Sequence, residues 1–338
     1  MKIEKVVASW IKETYELDVI SRQQLFLKYL EFWFTDSIDG QIIEKNKYFS
    51  NKNFYRLCDY LIDEKILIGF NHNTRGYTYF IKKGTKPTSE MAVSAIYPMG
   101  FLSHLTAMNL YGIGNTQTSG IYFTCPARKD WKSLCLKNIK QRFKNFTISD
   151  SISKEYIEIN GVVLSTQSIL DPYPHQNILE EAGSTKALII VNKKSSVESE
   201  WWNHCHIQNI VDLYLDMLRA PHYCGGISHV LKIYQNSLIK DENLLLELIN
   251  TLDKTGSIID RARFGYIFDK ILCIKIPQLK KWKGEQQNKR GSSRKLFSNF
   301  DFDSFFDDEW NISINHPTIK NLHHNIDRTY ALTDSKKY

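Results

Sequence analysis

Lys52, Asn53 and Arg56 bring into one short stretch the side-chain chemistries that read a DNA duplex. Arg and Lys donate to guanine or to phosphate oxygens, and an Asn carboxamide matches the donor and acceptor on the edge of adenine. Arg75, Lys82 and Lys83 follow, and from Lys65 to Ser89 five basic residues occur with no acidic one, a pattern suited to lying along a phosphate backbone. Two other constellations carry side chains capable of chemistry. His204, Cys205, His206, His222 and Cys224 are zinc-ligand types, but their spacing matches none of the common zinc sites. Asp130-Trp131-Lys132 supplies the acid-x-Lys pair of a Mg²⁺-dependent nuclease, though about three such pairs arise by chance in a chain with this many acids and lysines. There is no phosphate-binding loop, nucleophile elbow or dinucleotide fingerprint, so the sequence reads as a non-enzyme with neither cofactor nor metal.

The elements that must present Lys52, Asn53 and Arg56 follow from spacing. Phe54, Leu57, Cys58, Leu61 and Ile62 recur at helical intervals and predict a helix with one apolar stripe, with Lys52, Arg56, Asp59 and Asp63 opposite it and Ser50 or Asn51 as N-cap. The basic residues then occupy the first turns, where a helix dipole favours phosphate and a recognition helix meets base edges. A second amphipathic segment, Arg22 to Asp36, supplies a packing helix. Ile66–Phe70 and Tyr77–Ile81 read as two strands joined by a turn rich in Asn and Gly, with Arg75 at its tip. Helix, helix and hairpin in this order predict a winged helix-turn-helix over residues 1–88, with duplex DNA as partner. A module of this kind also serves as a protein-docking scaffold, which is the bland alternative.

The fold class expected is mixed, α+β: the winged helix followed by a larger α/β domain over residues 89–338 with a helical C-terminal part. Within it the α/β part spans about 89–200, the helical part about 201–275, and a basic loop and final strand 276–338. Lys83–Ser89 reads as a linker, Gly100–Tyr111 as a helix ended by Gly112, and Gly120–Thr124, Tyr156–Leu164, Ala187–Val191 and Trp310–Asn315 as strands. Arg128–Lys144 holds seven basic residues against one acid, and Lys275–Lys295 eight against one; the latter, rich in Gly, Gln and Ser, reads as a flexible polar loop. A net charge of +7 and a pI near 8.9 suit a polyanionic partner. Six dispersed cysteines, no signal peptide and no apolar run of membrane-spanning length point to a reducing cytoplasm and away from membranes.

Five stretches of the second domain resemble the AbiEi family, the antitoxins of bacterial type IV toxin-antitoxin and abortive-infection systems. They are Tyr97 to Ile113, whose Ser103-His104-Leu105-Thr106-Ala107 run ends in Tyr111-Gly112; Asp212 to Gly226, ending in Pro221 and Gly225-Gly226; and Arg261 to Phe268, with its Arg263-Phe264-Gly265-Tyr266 core. Ser292 to Leu296 and Trp310 to Asn315 complete the order. The likeness spans roughly residues 20–315, departing at Thr106, where serine is common, and in a long insertion from Lys275 to Ser293. It implies an autorepressor that binds operator repeats in its own promoter and counters a nucleotidyltransferase-like toxin without a stable complex with it. The alternative from another class is a defence-associated metal-dependent DNA nuclease carried to its target by the winged helix.

Overall fold

A computed structural model describes residues 1–73, 76–114, 116–118, 120–149, 155–176, 186–193, 199–287 and 294–323. The fold is mixed α/β and divides into two discontinuous units, one of residues 1–102 with 118–207 and the other of 103–117 with 208–338.

The first unit opens with α1 (Ile3–Glu13), β1 (Val19–Ser21), α2 (Arg22–Phe34), a short hairpin of β2 (Ser37–Ile38) and β3 (Gln41–Ile42), and α3 (Asn51–Asp63). β4 (Leu67–Asn73) and β5 (Gly76–Lys82) form a hairpin, to which β1 adds on the β5 side as the third strand. Ser21 starts α2 by accepting the Gln24 amide, satisfying one of the donors a helix start leaves open. α3 is amphipathic as its spacing predicts: Phe54, Leu57, Cys58 and Leu61 are buried, and the Phe54 ring meets Phe26 of α2 edge-on at 4.8 Å.

The stretch expected to be a linker runs straight into α4 (Ser89–Ile96), whose N-cap Thr88 accepts the Met91 amide. After β6 (Phe101–Leu102) the chain leaves for α5 (His104–Leu110) in the second unit and returns with β7 (Gly120–Pro126) and the basic helix α6 (Arg128–Arg142). The helix expected over Gly100–Tyr111 is thus a strand followed by a shorter helix. β8 (Ile148–Ser149), β9 (Tyr156–Ile159) and β10 (Val162–Ser165) make a three-stranded antiparallel sheet, followed by the single turn α7 (Thr166–Ile169). The single strand expected over Tyr156–Leu164 is therefore two, because Asn160 and Gly161 both take positive φ and reverse the chain. β11 (Ala187–Lys193), β12 (Ser199–Trp202) and β13 (Cys205–Gln208) complete a five-stranded mixed sheet in the order β11-β7-β6-β13-β12.

One apolar cluster runs through this unit. It joins Val7, Phe26, Leu57 and Leu61 of the N-terminal helices to Ile139 and Phe143 at the end of α6 and to Ile157 and Ile159 of β9. Residues 1–88 and residues 139–169 thus share a core, and packing shows no break at position 88.

The second unit is largely helical: α5, α8 (Ile210–Arg219), α9 (Ile227–Ile233), α10 (Glu242–Lys254), α11 (Ile258–Tyr266) and α12 (Pro277–Gln287), closed by the ribbon β14 (Phe306–Asp307) and β15 (Ile312–Ser313). Arg219 grips Asp260 with Nε to Oδ1 at 3.0 Å and Nη2 to Oδ2 at 2.8 Å, tying α8 to α11, and Asp260 also completes a capping box with Ser257. Gly265 lies against the Trp310 ring, so close that a Cβ there would stand 2.0 Å from it.

α12 corrects one expectation. The Lys275–Lys295 stretch is not a flexible loop over its first half, since Leu279 and Trp282 are buried and Trp282 donates its indole N–H to Asp253 at 2.9 Å. Lys281 bonds Asp253, Lys283 bonds Asp269 and Glu309, and Arg294 donates to Gln286, so much of this positive charge is consumed within the unit. Residues 288–293 lie outside the described residues. Among those described, no helix is long and apolar enough to cross a membrane.

Candidate nucleic-acid interface

The residues singled out on α3 fall as its spacing requires. Lys52 and Arg56 are exposed one turn apart, and Asn53 is half-buried with its Nδ2 3.4 Å from the Tyr48 carbonyl. Ser50 is the N-cap but its hydroxyl makes no capping bond, so the amides at the start of α3 are not closed by that side chain. Among the described residues this face is open, with Tyr55 and Asp59 on the same side exposed as well.

The structure adds residues that spacing did not single out. Tyr55 is 40% exposed, and Arg22 at the start of α2 donates to its hydroxyl at 3.2 Å while its guanidinium sits 5.7 Å from the centroids of both the Phe54 and Tyr55 rings. Just ahead of α3, Tyr48 is 75% exposed, with the Lys47 ammonium 5.5 Å from its ring centroid. Two exposed aromatic rings interleaved with Lys47, Lys52, Arg56 and Arg22 form a cationic surface with flat apolar platforms, the composition that nucleic-acid sites use for phosphate contact and stacking. The signal was present as the Lys-Tyr and Tyr-Arg pairs flanking the helix start, but sequence does not say which tyrosines face outward.

Two of the hairpin residues, Lys82 and Lys83, stand together at its base. Lys82 pairs with Leu67 at the base of the hairpin and, half-buried, donates to the Tyr15 carbonyl at 2.7 Å. Lys83 is exposed at that same base, with its backbone N–H on the Ile66 carbonyl at 2.9 Å. Arg75, at the turn, lies outside the described residues.

No family model matches the chain, and no curated protein matches it. Among solved structures, the crystal structure of the RV2827C protein from Mycobacterium tuberculosis is similar with a TM-score of 0.42 at 10% identity, over 91% of this chain and 89% of that chain.

Two members of the His/Cys set, His206 and Cys205, are accounted for internally. His206 donates from Nδ1 to the Gly100 carbonyl at 2.7 Å, which leaves Nε2 to accept from the Ser199 hydroxyl at 2.9 Å, and its ring stacks on Trp201. Burial lowers its pKa, disfavouring the charged ring. Cys205 is buried, which raises its thiol pKa to about 12, the opposite of what a thiolate ligand needs. Among the described residues no cluster of three His, Cys, Asp or Glu side chains is placed to hold a metal ion.

Proposed function

We propose that residues 1–88 act as a winged helix-turn-helix that seats the exposed face of α3 in the major groove of duplex DNA, within an antitoxin that represses its own operon. The observation that carries this reading is the division of α3 into a buried apolar stripe and an exposed face holding Lys52 and Arg56 in its first two turns. Apart from the short β2–β3 hairpin between α2 and α3, the order helix, strand, helix, helix, two-stranded hairpin, with the first strand added to that last hairpin, is the layout such a module uses. Lys47, Tyr48, Tyr55 and Arg22 would extend the contact to flanking phosphates. The antitoxin half rests on the ordered AbiEi resemblance from Tyr97 to Asn315, and its toxin would be a nucleotidyltransferase encoded beside it.

The deciding experiment pairs two readouts on the double variant Lys52→Ala/Arg56→Ala: binding to its own promoter DNA, and rescue of cells expressing the neighbouring nucleotidyltransferase. The reading expects promoter binding to be lost and rescue kept. Unaltered promoter binding, or loss of rescue with binding intact, overturns it.

A further inference from the structure

α6 buries one side only: Trp131, Cys135 and Ile139 are in the interior, and Arg142 at its end is tied to Glu31 of α2. Away from that stripe Lys129, Ser133, Lys137 and Gln141 are exposed, and Lys144 is exposed just past the helix end. Asp130, in the first turn, is the one acid along the helix. Lys132 and Lys140 each have an interaction within the molecule. The ammonium groups of Lys129, Lys137 and Lys144 make no hydrogen bond or ion pair among the described residues. They differ in this from the lysines of α12, where Asp253 takes up Lys281 and Asp269 takes up Lys283. Like charges gathered on one helix face repel one another, and an outside polyanion removes that repulsion.

What the face lacks identifies the polyanion. A protein interface is anchored by aromatic or apolar side chains at its centre, and a helix that lies on a lipid surface sinks such residues into it. Between 128 and 144 no large apolar side chain is exposed, since Trp131, Ile139 and Phe143 are all turned inward. Phosphate demands only cations and hydrogen-bond donors. At 1.5 Å per residue Lys129 and Lys137 stand about 12 Å apart along the axis. Duplex DNA carries a charge at about every 1.7 Å of its own axis, so a helix laid along it brings several phosphates within reach of these lysines. We propose that the outward face of α6 is a second, sequence-independent phosphate-binding surface for duplex DNA, with Lys129, Lys137 and Lys144 as its phosphate contacts and the Gln141 carboxamide as a neutral donor beside them. The choice of DNA as the polyanion rests on the function proposed for α3: there α3 selects the site, and α6 holds any sequence.

The test is the salt dependence of binding by the full-length protein to two duplexes of equal length, its own promoter and a random sequence. In Lys129→Gln/Lys137→Gln/Lys144→Gln the slope of log K against log salt should fall by up to about 3 on both duplexes, about 0.9 for each lost contact, while the promoter-to-random affinity ratio stays within about twofold of the parent's. Lys52→Ala/Arg56→Ala should instead collapse that ratio. Thermal melting verifies that each variant folds; should the triple variant fail, Lys137→Gln alone should lower the slope by about 0.9. A slope unchanged on both duplexes, or a fall confined to the promoter, overturns the proposal for α6 and leaves that for α3 standing. A ratio near one in the parent, with the slope still falling in the triple variant, overturns α3 and leaves α6. Binding of the parent to neither duplex overturns both. Vesicles of phosphatidylserine and phosphatidylcholine serve as the control: binding to them that the triple variant loses, with its duplex slopes unchanged, assigns the face to lipid and overturns the proposal.

Discussion

At Asp171 a single carboxyl is held at odds with the fold around it. Its pKa stands above the unfolded value near 3.8, at about 7, because burial outweighs the opposing pull of Arg142. The folded state therefore binds a proton more tightly than the unfolded chain, and stability from this group is present at low pH and lost as pH rises from about 4 through 7. In melting experiments the advantage of Asp171→Asn over the parent should grow between about pH 4 and about pH 8, by an amount on the order of 1–3 kcal/mol. Equal melting temperatures at both pH values would contradict the burial. Asp260 has the opposite sign: held below the ordinary carboxylate range by the Arg219 guanidinium and by Ser257 in spite of burial, it stabilises at neutral pH and ceases to do so in acid. Arg219→Ala leaves that carboxylate without its main partner and is expected to cost about 2–4 kcal/mol, measurable by urea denaturation. Gly265→Ala drives a methyl group into the Trp310 ring, and the same assay should show a loss of about 1–3 kcal/mol or more.

Among the elements, the strongest hydrophobic periodicities were also the most legible. α2 and α3 lie within two residues of their expected bounds because each carries an apolar stripe long enough to fix its face, and the hairpin follows from β-rich runs around a turn. α12 was not legible: between Pro277 and Gln287 its deeply buried apolar residues are Leu279 and Trp282, and its position is set by ion pairs with Asp253, Asp269 and Glu309, which are distant in sequence. The candidate interface was legible on the helix and less so beyond it. Lys52 and Arg56 are exposed as their phase required, whereas Tyr48, Tyr55 and Arg22 join them through loop and inter-helix geometry that spacing does not carry. The hairpin lysines divide accordingly. The single variant Lys52→Ala should keep weakened promoter binding and flatten its salt dependence by up to about one log unit, the loss of one phosphate contact. Lys82→Ala, which removes the bond to the Tyr15 carbonyl, should lower melting temperature and leave that slope unchanged. A changed slope at Lys82 would place its ammonium on DNA instead.

For the molecule as a whole, the segments that resemble AbiEi antitoxins are chiefly interior. Leu105, Met108, Tyr214, Met217, Phe264, Trp310 and Ile312 are all buried, so what the likeness samples is scaffold. The glycines of the second stretch are explained in the same way: Gly225 and Gly226 turn the chain at φ +82 and +88, and a Cβ on Gly225 would stand 2.4 Å from the His229 ring. Packing also sets the size of an independently folding piece. A fragment of residues 1–88 would strip Phe34 of the Phe143 and Phe146 rings, 6.1 and 5.1 Å from it, and cut the cluster that Phe26, Leu57 and Leu61 share with Ile139, Phe143 and Ile157. Expressed alone it should lack a cooperative melting transition by circular dichroism, and a sharp transition would show that the cluster is dispensable.

Because the first unit is written into the chain in two instalments, its maturation is tied to the clock of synthesis. When Asp63 at the end of α3 leaves the ribosome, Ile139 and Ile157 have not yet been made. At roughly 5–20 residues per second, the nascent helices wait seconds for the remainder of their interior. A nascent chain therefore displays Lys52 and Arg56 before the body beneath them is complete, and a ribosome stalled short of residue 139 would hold a surface of the right charge on an unfinished foundation.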